Sequence, residues 1–192
     1  MVHPSLWGPA TWQLLFACAW SCPAERVDAM RRVAMELVPT LLPCDRCREH
    51  ARRNLARATP RDPRTARDVF RWLHSLKREI ARAERTTSLT LDEVTQRWMF
   101  TGAYVDDVAV ADCLVLFAIS AEELDGGSDQ FCELCALLAE LLPSPDDSQL
   151  RRHLSRIRRE ATVIDATCAA RAARIERGLC PRASTAHYRD AA

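Results

Sequence analysis

Glycine is scarce in this chain of 192 residues: there are five glycines, and two of them form the pair Gly126-Gly127. No alternation of apolar and polar residues is sustained, which disfavours β-strands, whereas apolar residues recur at helical spacing throughout. A dominant charge is also lacking, because 27 Lys and Arg residues face 26 Asp and Glu residues and leave a net charge of +1. No global field therefore favours nucleic acid or an acidic membrane surface as a partner. The sequence predicts an all-α protein.

Two kinds of targeting segment are missing as well. The longest apolar runs contain charged residues and fall short of the roughly 20 residues that a membrane-spanning helix needs. Residues 1–5 (Met-Val-His-Pro-Ser) carry no basic region followed by an apolar stretch, as a secretory signal would. We therefore expect a cytoplasmic protein that acts without a membrane.

The nine cysteines are many for an intracellular protein, and their number is odd. They do not form regularly spaced pairs in loops, which disfavours a secreted disulfide scaffold. Most are interpreted as small buried hydrophobes within apolar helical patterns, namely Cys18, Cys113, Cys132, Cys135 and Cys168. The spacing Cys132-x-x-Cys135 resembles a second redox pair, but its position inside a helical stripe indicates core. Cys180 is at best a lone candidate for a shuttle cysteine.

Short connections between amphipathic helices predict a small helical bundle in the first half of the chain. The first helix is predicted from Pro9 to Trp20 and the third from Cys44 to about Leu55. The stripe of the second helix, which Pro43 ends, has i, i+3, i+4, i+7 spacing: Val27, Met30, Val33, Ala34, Leu37, Val38 and Leu41. The fourth helix has an apolar face of Val69, Trp72, Leu73, Leu76 and Ile80. A fifth, Leu91 to Met99, would close the bundle.

The second half of the chain repeats the first. Leu-Leu-Phe-Ala at 14–17 is echoed by Val-Leu-Phe-Ala at 115–118, and Arg-Arg-Asn-Leu at 52–55 by Arg-Arg-His-Leu at 151–154. Where the first copy has Cys44-Asp45-Arg46-Cys47, the second has Ser144-Pro145-Asp146-Asp147, so the cysteines are lost. We therefore divide the chain into domains 1–102 and 103–180 and a disordered tail, 181–192. The alternative is chance similarity between two helical segments rich in Leu and Arg.

The pair Cys44-x-x-Cys47 opens the third predicted helix. Two cysteines at this spacing can close a small disulfide ring or hold a metal ion. The unpaired N–H groups and the positive dipole end of a helix N-terminus favour thiolate over thiol. Nearby arginines act in the same direction, namely Arg46, Arg48, Arg52 and Arg53. The motif predicts a reactive dithiol.

Four elements, taken in order, resemble the Erv/ALR family of FAD-linked sulfhydryl oxidases. They are Trp7-Gly8-Pro9-Ala10-Thr11-Trp12, Leu42-Pro43-Cys44-x-x-Cys47, the Trp72-Leu73 helix and Val94-Thr95-Gln96-Arg97-Trp98. The first two at this distance are a specific combination, and the resemblance covers about residues 3 to 102. The opening His3-Pro4 is most similar to versions encoded by large DNA viruses, which would place the protein in the host cytoplasm or the virion.

The resemblance implies an Erv-type bundle that binds FAD at its mouth and oxidises dithiols. Cys44 would be the attacked sulfur, exchanging with substrate dithiols through a mixed disulfide, and Cys47 would lie against the flavin as a thiolate. The electrons would pass to O₂ and give hydrogen peroxide, with the cofactor supplying the oxygen chemistry. The partners would be dithiol proteins, including thioredoxin- or glutaredoxin-like shuttles.

The resemblance also implies a set of FAD-binding residues. Gly8 would allow close approach of the backbone, aromatic walls would come from Trp12, Trp72 and Trp98, and cations for the pyrophosphate from Lys77, Arg78 and Arg97; the set also includes Phe16, Cys47 and His50. Trp12 and Trp72 fit a plain core equally, and His50 fits a helix surface. The sequence departs from the family's Trp-x-x-x-x-His-Asn-x-Val-Asn helix, whose last four named positions are Lys77, Arg78, Ile80 and Ala81 here. Phe16 replaces a common histidine, and Leu91 a structural cysteine.

Three alternative functions remain open from the residues. Loss of the His-Asn pattern is compatible with an Erv-fold interaction protein of impaired activity. A zinc site could use Cys44, Cys47 and His50, with His74 or Cys135 as a fourth ligand. A thioredoxin-like reductase would need strands around the Cys-x-x-Cys motif, and none is predicted. His74 itself lies away from the apolar stripe, and we expect it to be exposed.

The second half is predicted to be a degenerate bundle that packs against the first and replaces a partner subunit. Family bundles commonly pair as homodimers through their first helices, and 113 to about 180 repeats the helical pattern without the cysteine motif or the aromatic walls. A pseudo-dimer of this kind would bind one FAD per chain. It leaves open whether whole chains form homodimers.

Overall fold

The computed structural model describes residues 4–58, 62–101 and 107–142, and every regular element in these residues is helical. Within these described ranges, seven helices follow one another: α1 (Gly8–Ser21), α2 (27–41), α3 (Asp45–Leu55), α4 (Ala66–Ala83), α5 (Leu91–Thr101), α6 (Asp107–Glu122) and α7 (Gly127–Leu141). Helix α2 runs through the segments Val27–Arg32, Val33–Leu37 and Val38–Leu41, of which the middle one is π-helical. The all-α prediction is confirmed, and each helix predicted in the first half is present.

Local signals explain where these helices begin and end. Thr65 and Asp68 form a capping box at the start of α4, in which each side chain accepts the other residue's backbone N–H at 3.1 Å. Thr90 and Glu93 make the same exchange before α5, at 2.7 and 3.3 Å. Helix α2 ends at Leu41, two residues before Pro43, because the residue before a proline prefers an extended backbone.

Helices α6 and α7 share one hydrophobic core with α1 and α2. Helix α1 packs against α4 and α6, and α7 packs against the π-helical segment of α2. The largest side chains with almost no exposed surface come from both halves of the chain: Trp72, Phe117, Leu14, Met30, Leu41, Leu73, Leu114, Leu116, Leu134, Leu138 and Leu141. Residues 107–142 therefore lie against the first helices in the same chain.

The turn between α6 and α7 requires its two glycines. Gly126 has φ +67°, in the left-handed region, and a Cβ at Gly127 would lie 2.2 Å from the carbonyl oxygen of Ala121. The domain boundary at 102 and the pseudo-dimer stay predictions. The later repeat matches at 144–147 and 151–154 and the tail, 181–192, lie outside the described residues.

Candidate redox site

Helix α3 begins directly after Cys44, which is its N-cap residue. The backbone N–H of Cys47 donates to Cys44 Sγ at 3.3 Å, so this sulfur accepts one of the free N–H groups of the first turn. The N–H of Cys44 donates to the carbonyl oxygen of Leu42 at 2.7 Å. Both cysteines are free thiols. The structure therefore places the pair at a helix N-terminus, as the sequence indicates.

The exposure of the two thiols is the reverse of the one expected. The role of attacked sulfur that the family resemblance implies for Cys44 requires an accessible thiol, but this residue is 6% exposed, whereas Cys47 is partly exposed. The N-cap position explains the difference, because the Cys44 side chain folds back over the first turn to accept its N–H group. The expectation of access at Cys44 is wrong for this conformation.

Burial works against the thiolate character expected of Cys47. Burial raises the pKa of the Cys47 thiol to about 12, and the hydrogen bond and charge of Cys44 raise it further. Arg46 and Arg48 lower this pKa, as their charges predict, but they do not outweigh burial. The backbone N–H of Cys47 and the N-terminus of α3 point at Cys44 Sγ, and this geometry stabilises negative charge that develops on that sulfur.

A buried arginine connects the turn that carries both cysteines, residues 42–47, with the second half of the chain. Arg48 Nη1 donates to the carbonyl oxygen of Leu42 at 2.6 Å and to Ser120 Oγ of α6 at 2.9 Å. Its Nη2 pairs with the exposed carboxylate of Asp45. From the sequence, Arg48 was predicted only as a nearby charge, and Ser120, which lies 72 residues away, was not predicted at all.

An aromatic cluster joins α1, α4 and α5. The Phe16 ring is at its centre, with centroids 6.1 Å from Trp12, 5.1 Å from Phe70 and 6.3 Å from Trp98. Trp12 and Trp98 are partly exposed, whereas Phe16 and Phe70 are buried. Phe70 was not among the residues predicted for the cofactor site. Phe70 could have been predicted from its position seven residues before Lys77, because this spacing places both residues on the same face of one helix.

Lys77 is the only lysine of the chain, and it lies over this cluster. Its Nζ is 5.7 Å from the centroid of the Trp12 ring and 5.9 Å from that of Phe16. In the described part of the chain, no carboxylate forms an ion pair with it. Burial, together with the nearby charge of Arg97, lowers the pKa of Lys77 to about 8.

The other residues implied for the cofactor lie in different settings. A Cβ on Gly8 would meet no protein atom within 4 Å, so the space beside this backbone is open. His50 is half-buried on α3, and Arg78 is exposed on α4. Trp72 has no exposed surface, so its ring offers no face to a ligand in this conformation, and its indole N–H has no hydrogen-bond partner among the described residues.

His74 is buried, contrary to the expectation that it is exposed. It is 5% exposed, and its Nε2 lies 2.9 Å from the carbonyl oxygen of Leu89. The reason is tertiary, because the connection after α4 folds back over this side of the helix. His74 and Leu91 border a groove of about 500 Å³, together with the guanidinium groups of Arg71, Arg78 and Arg82.

The part of the chain that forms this site matches a known protein family. Residues 9–99 match the Erv1 / Alr family. Proteins of the Erv1 / Alr family are in general flavin-linked sulfhydryl oxidases, so the match supports oxidoreductase chemistry at the level of the family. No curated protein and no solved structure shows a significant match to the chain. The Erv1 / Alr segment contains both cysteines, the aromatic cluster and Lys77.

The other described cysteines lie apart from Cys44 and Cys47. Cys18, Cys113 and Cys135 are buried as expected, and burial raises the pKa of the Cys113 and Cys135 thiols to about 12. Cys132, predicted to be core, is exposed. Phe131, Leu134, Cys135 and Leu138 form the inward face of α7, and position 132 lies off that face.

Neither a metal site nor a membrane span is found in the described residues. No three His, Cys, Asp or Glu side chains there are close enough together to hold a metal ion, so the zinc set of Cys44, Cys47 and His50 is not assembled. None of the helices in this part of the chain combines the length and apolar character that crossing a membrane requires.

Proposed function

We propose that the chain is an FAD-linked thiol oxidase that forms disulfides in substrate proteins through Cys44 and Cys47. A substrate dithiol would lose two electrons and two protons as its disulfide forms, and O₂ would take up both and become hydrogen peroxide. The observation that carries the proposal is the Cys-x-x-Cys pair at the N-terminus of α3, within a segment that matches the Erv1 / Alr family. Partners of thioredoxin or glutaredoxin type belong to the same proposal.

Thiol–disulfide exchange would begin on the oxidised form of this pair. A substrate thiolate attacks one sulfur, the other leaves as a thiolate, and the second substrate thiol then resolves the mixed disulfide. Exposure favours attack on Cys47, because Cys44 is buried. The leaving charge then develops on Cys44 Sγ, where the N–H of Cys47 and the helix N-terminus stabilise it. This reverses the assignment implied by the family resemblance.

The side chains beside the cluster fit an anionic aromatic cofactor such as FAD. Lys77, without a carboxylate partner in the described residues, and the adjacent Arg97 would hold a pyrophosphate, while the partly exposed rings of Trp12 and Trp98 would flank a planar ring. Flavin, when bound, supplies the two-electron and oxygen chemistry that the protein side chains lack. The protein itself would bind the flavin and supply the Cys44 and Cys47 dithiol.

Purification of the full chain tests the proposal directly. We expect a yellow protein with a flavin absorbance band that oxidises dithiothreitol while consuming O₂ and producing hydrogen peroxide. Cys44→Ser and Cys47→Ser should each abolish turnover, whereas Cys132→Ser, an exposed cysteine outside the site, should retain it. A folded, colourless and inactive protein would instead support the interaction-protein alternative, and full activity of Cys44→Ser would refute the assignment of the redox pair.

Mapping the mixed disulfide tests which sulfur is attacked. The oxidised wild-type chain is mixed with a limiting amount of reduced glutathione, quenched with acid and digested, and the glutathione adduct is located by mass spectrometry. We expect the adduct on Cys47. An adduct on Cys44 would restore the order implied by the family and leave the oxidase proposal intact.

A further inference from the structure

We propose that Arg48 and Ser120 are a positioning pair that sets the thiol–disulfide equilibrium of the redox turn, residues 42–47, from the second half of the chain. The inference rests on the proposed thiol oxidase function, since it concerns the same two cysteines. It adds a role for α6, which lies outside the segment that matches the Erv1 / Alr family.

Three donors converge on one carbonyl oxygen at the start of the redox turn. Leu42 O accepts from Arg48 Nη1 at 2.6 Å, from Ser120 Oγ at 3.2 Å and from the backbone N–H of Cys44 at 2.7 Å. Arg48 Nη1 also donates to Ser120 Oγ at 2.9 Å, which closes a triangle between α3, α6 and the turn. The path of the backbone into Cys44 is therefore fixed by a residue of α6.

Burial makes these hydrogen bonds important for holding the turn in place. Arg48 is 8% exposed and Ser120 is 4% exposed, so neither polar group could turn to bulk water without a rearrangement. A buried donor or acceptor that is left unsatisfied keeps the full cost of its desolvation. The guanidinium also needs its two neutral acceptors to stay in place, because its carboxylate partner, Asp45, is highly exposed and its charge is screened.

The same guanidinium acts on the chemistry of the dithiol. Arg48 directly follows Cys47 in the chain, and its charge lowers the pKa of the Cys47 thiol against the effect of burial. A cation at this place stabilises the reduced pair whenever it carries thiolate character, and so makes the disulfide easier to reduce. Ser120 does not touch either sulfur in this scheme; it acts by holding Arg48 and Leu42 O.

The test is the equilibrium of the full-length chain with glutathione at alkaline pH, where the reduced pair carries thiolate charge; it needs no turnover. In the forward direction one Cys44–Cys47 disulfide is reduced to two thiols while two glutathione molecules are oxidised to one glutathione disulfide. We expect Arg48→Gln to lower the equilibrium constant for this reduction about tenfold, which equals about 30 mV for two electrons. We expect Ser120→Ala to lower it about threefold, and Ser120→Thr, which keeps the hydroxyl, to restore it.

Two further variants separate positioning from general packing. Cys113→Ala removes a buried polar atom from the same helix, but its partners, Thr11 and Trp7, lie at the start of α1 and not in the turn, so the equilibrium should not move. In the Arg48→Gln background, Ser120→Ala should add less than its threefold shift in wild type, because only its own hydrogen bond to Leu42 O is left to lose. Arg48→Lys keeps the positive charge but not the guanidinium that contacts both Leu42 O and Ser120 Oγ. It should shift the equilibrium about as much as Ser120→Ala does.

The outcomes distinguish this inference from the proposed function. An unchanged equilibrium in folded Ser120→Ala, or equal shifts in Ser120→Ala and Cys113→Ala, would overturn the inference and leave the oxidase proposal standing. If wild type forms no Cys44–Cys47 disulfide over the whole range of glutathione potentials, the oxidase proposal and the inference fall together. Circular dichroism of each variant confirms that the fold is retained.

Discussion

The ammonium nitrogen of Lys77 lies 5.7 Å from the centre of the Trp12 ring, with no carboxylate pairing to it in the described residues. A cation over an aromatic face gains electrostatic attraction, but this gain is small compared with the cost of desolvating an ammonium group. The chain has 26 arginines and keeps a single lysine at this point. An anion bound beside it would relieve the cost, which is why this geometry supports a cofactor with a pyrophosphate.

Replacing Lys77 should therefore affect stability and cofactor binding in opposite directions. Lys77→Met keeps the length of the side chain but removes the charge, so the flavin-free protein should become more stable, by about 1 kcal/mol. Its FAD affinity should fall about tenfold, which equals about 1.4 kcal/mol. Denaturant unfolding and fluorescence titration measure the two effects. Lys77→Arg is the matched control and should keep most of the affinity; unchanged FAD affinity in Lys77→Met would contradict the assignment.

The lowered pKa of Lys77 predicts a definite pH dependence. Folded Lys77 titrates at about 8 and the unfolded side chain at 10.5, so the unfolded state binds more protons between these values. The stability of the flavin-free protein should therefore rise from pH 8 to 10.5, by about 1–3 kcal/mol for this group, after allowing for its partial exposure to solvent. Lys77→Met should lack this contribution.

The titration can also be observed directly, because Lys77 is the sole lysine. Reductive methylation with a ¹³C label should give two signals, one from the α-amino group and one from Lys77, and the Lys77 signal should titrate near pH 8. Bound FAD should move this midpoint upward, since an anion favours the charged amine. A Lys77 signal that titrates above pH 10 without cofactor would contradict the burial of this amine.

The raised pKa of Cys47 predicts slow alkylation at neutral pH. Because the pKa is about 12, the thiolate fraction of Cys47 should rise tenfold for each pH unit between 7 and 10, without a plateau. Iodoacetamide labelling of the reduced chain, followed site by site with mass spectrometry, measures this rate. A plateau for Cys47 below pH 9 would mean that Arg46 and Arg48 outweigh burial.

Removing the second half should expose part of the shared core. Truncation after residue 102 deletes α6 and α7, whose Leu114, Phe117, Leu134 and Leu138 are fully buried in the core with α1 and α2. We expect the shortened chain to aggregate or to pair with itself, as apolar surface of this kind demands a partner. Light scattering and gel filtration measure this, and the full chain should bind one FAD. A soluble, fully active monomer of the shortened chain would contradict the pseudo-dimer.

Sequence patterns determined the helices of this protein because their signals are local. Apolar spacing on 27–41, and Pro43 after it, concern residues within a few turns of one another, so they predict a helix and its end without knowledge of what the helix packs against. The Cys-x-x-Cys pair at the start of α3 could be placed for the same reason. The order of the Trp-Gly, Pro-Cys and Arg-Trp elements also sufficed to indicate the family that residues 9–99 match.

The tertiary structure alone decided which side chains are covered and what they contact. His74 is buried because the connection before Leu91 folds over it, and Cys132 is exposed because α7 turns that position outward. The link from Arg48 to Ser120 spans 72 residues and has no local signature. Burial and long-range hydrogen bonds depend on how helices pack. Packing buries Cys47 and so raises the pKa of its thiol, although the charges of its sequence neighbours Arg46 and Arg48 lower it.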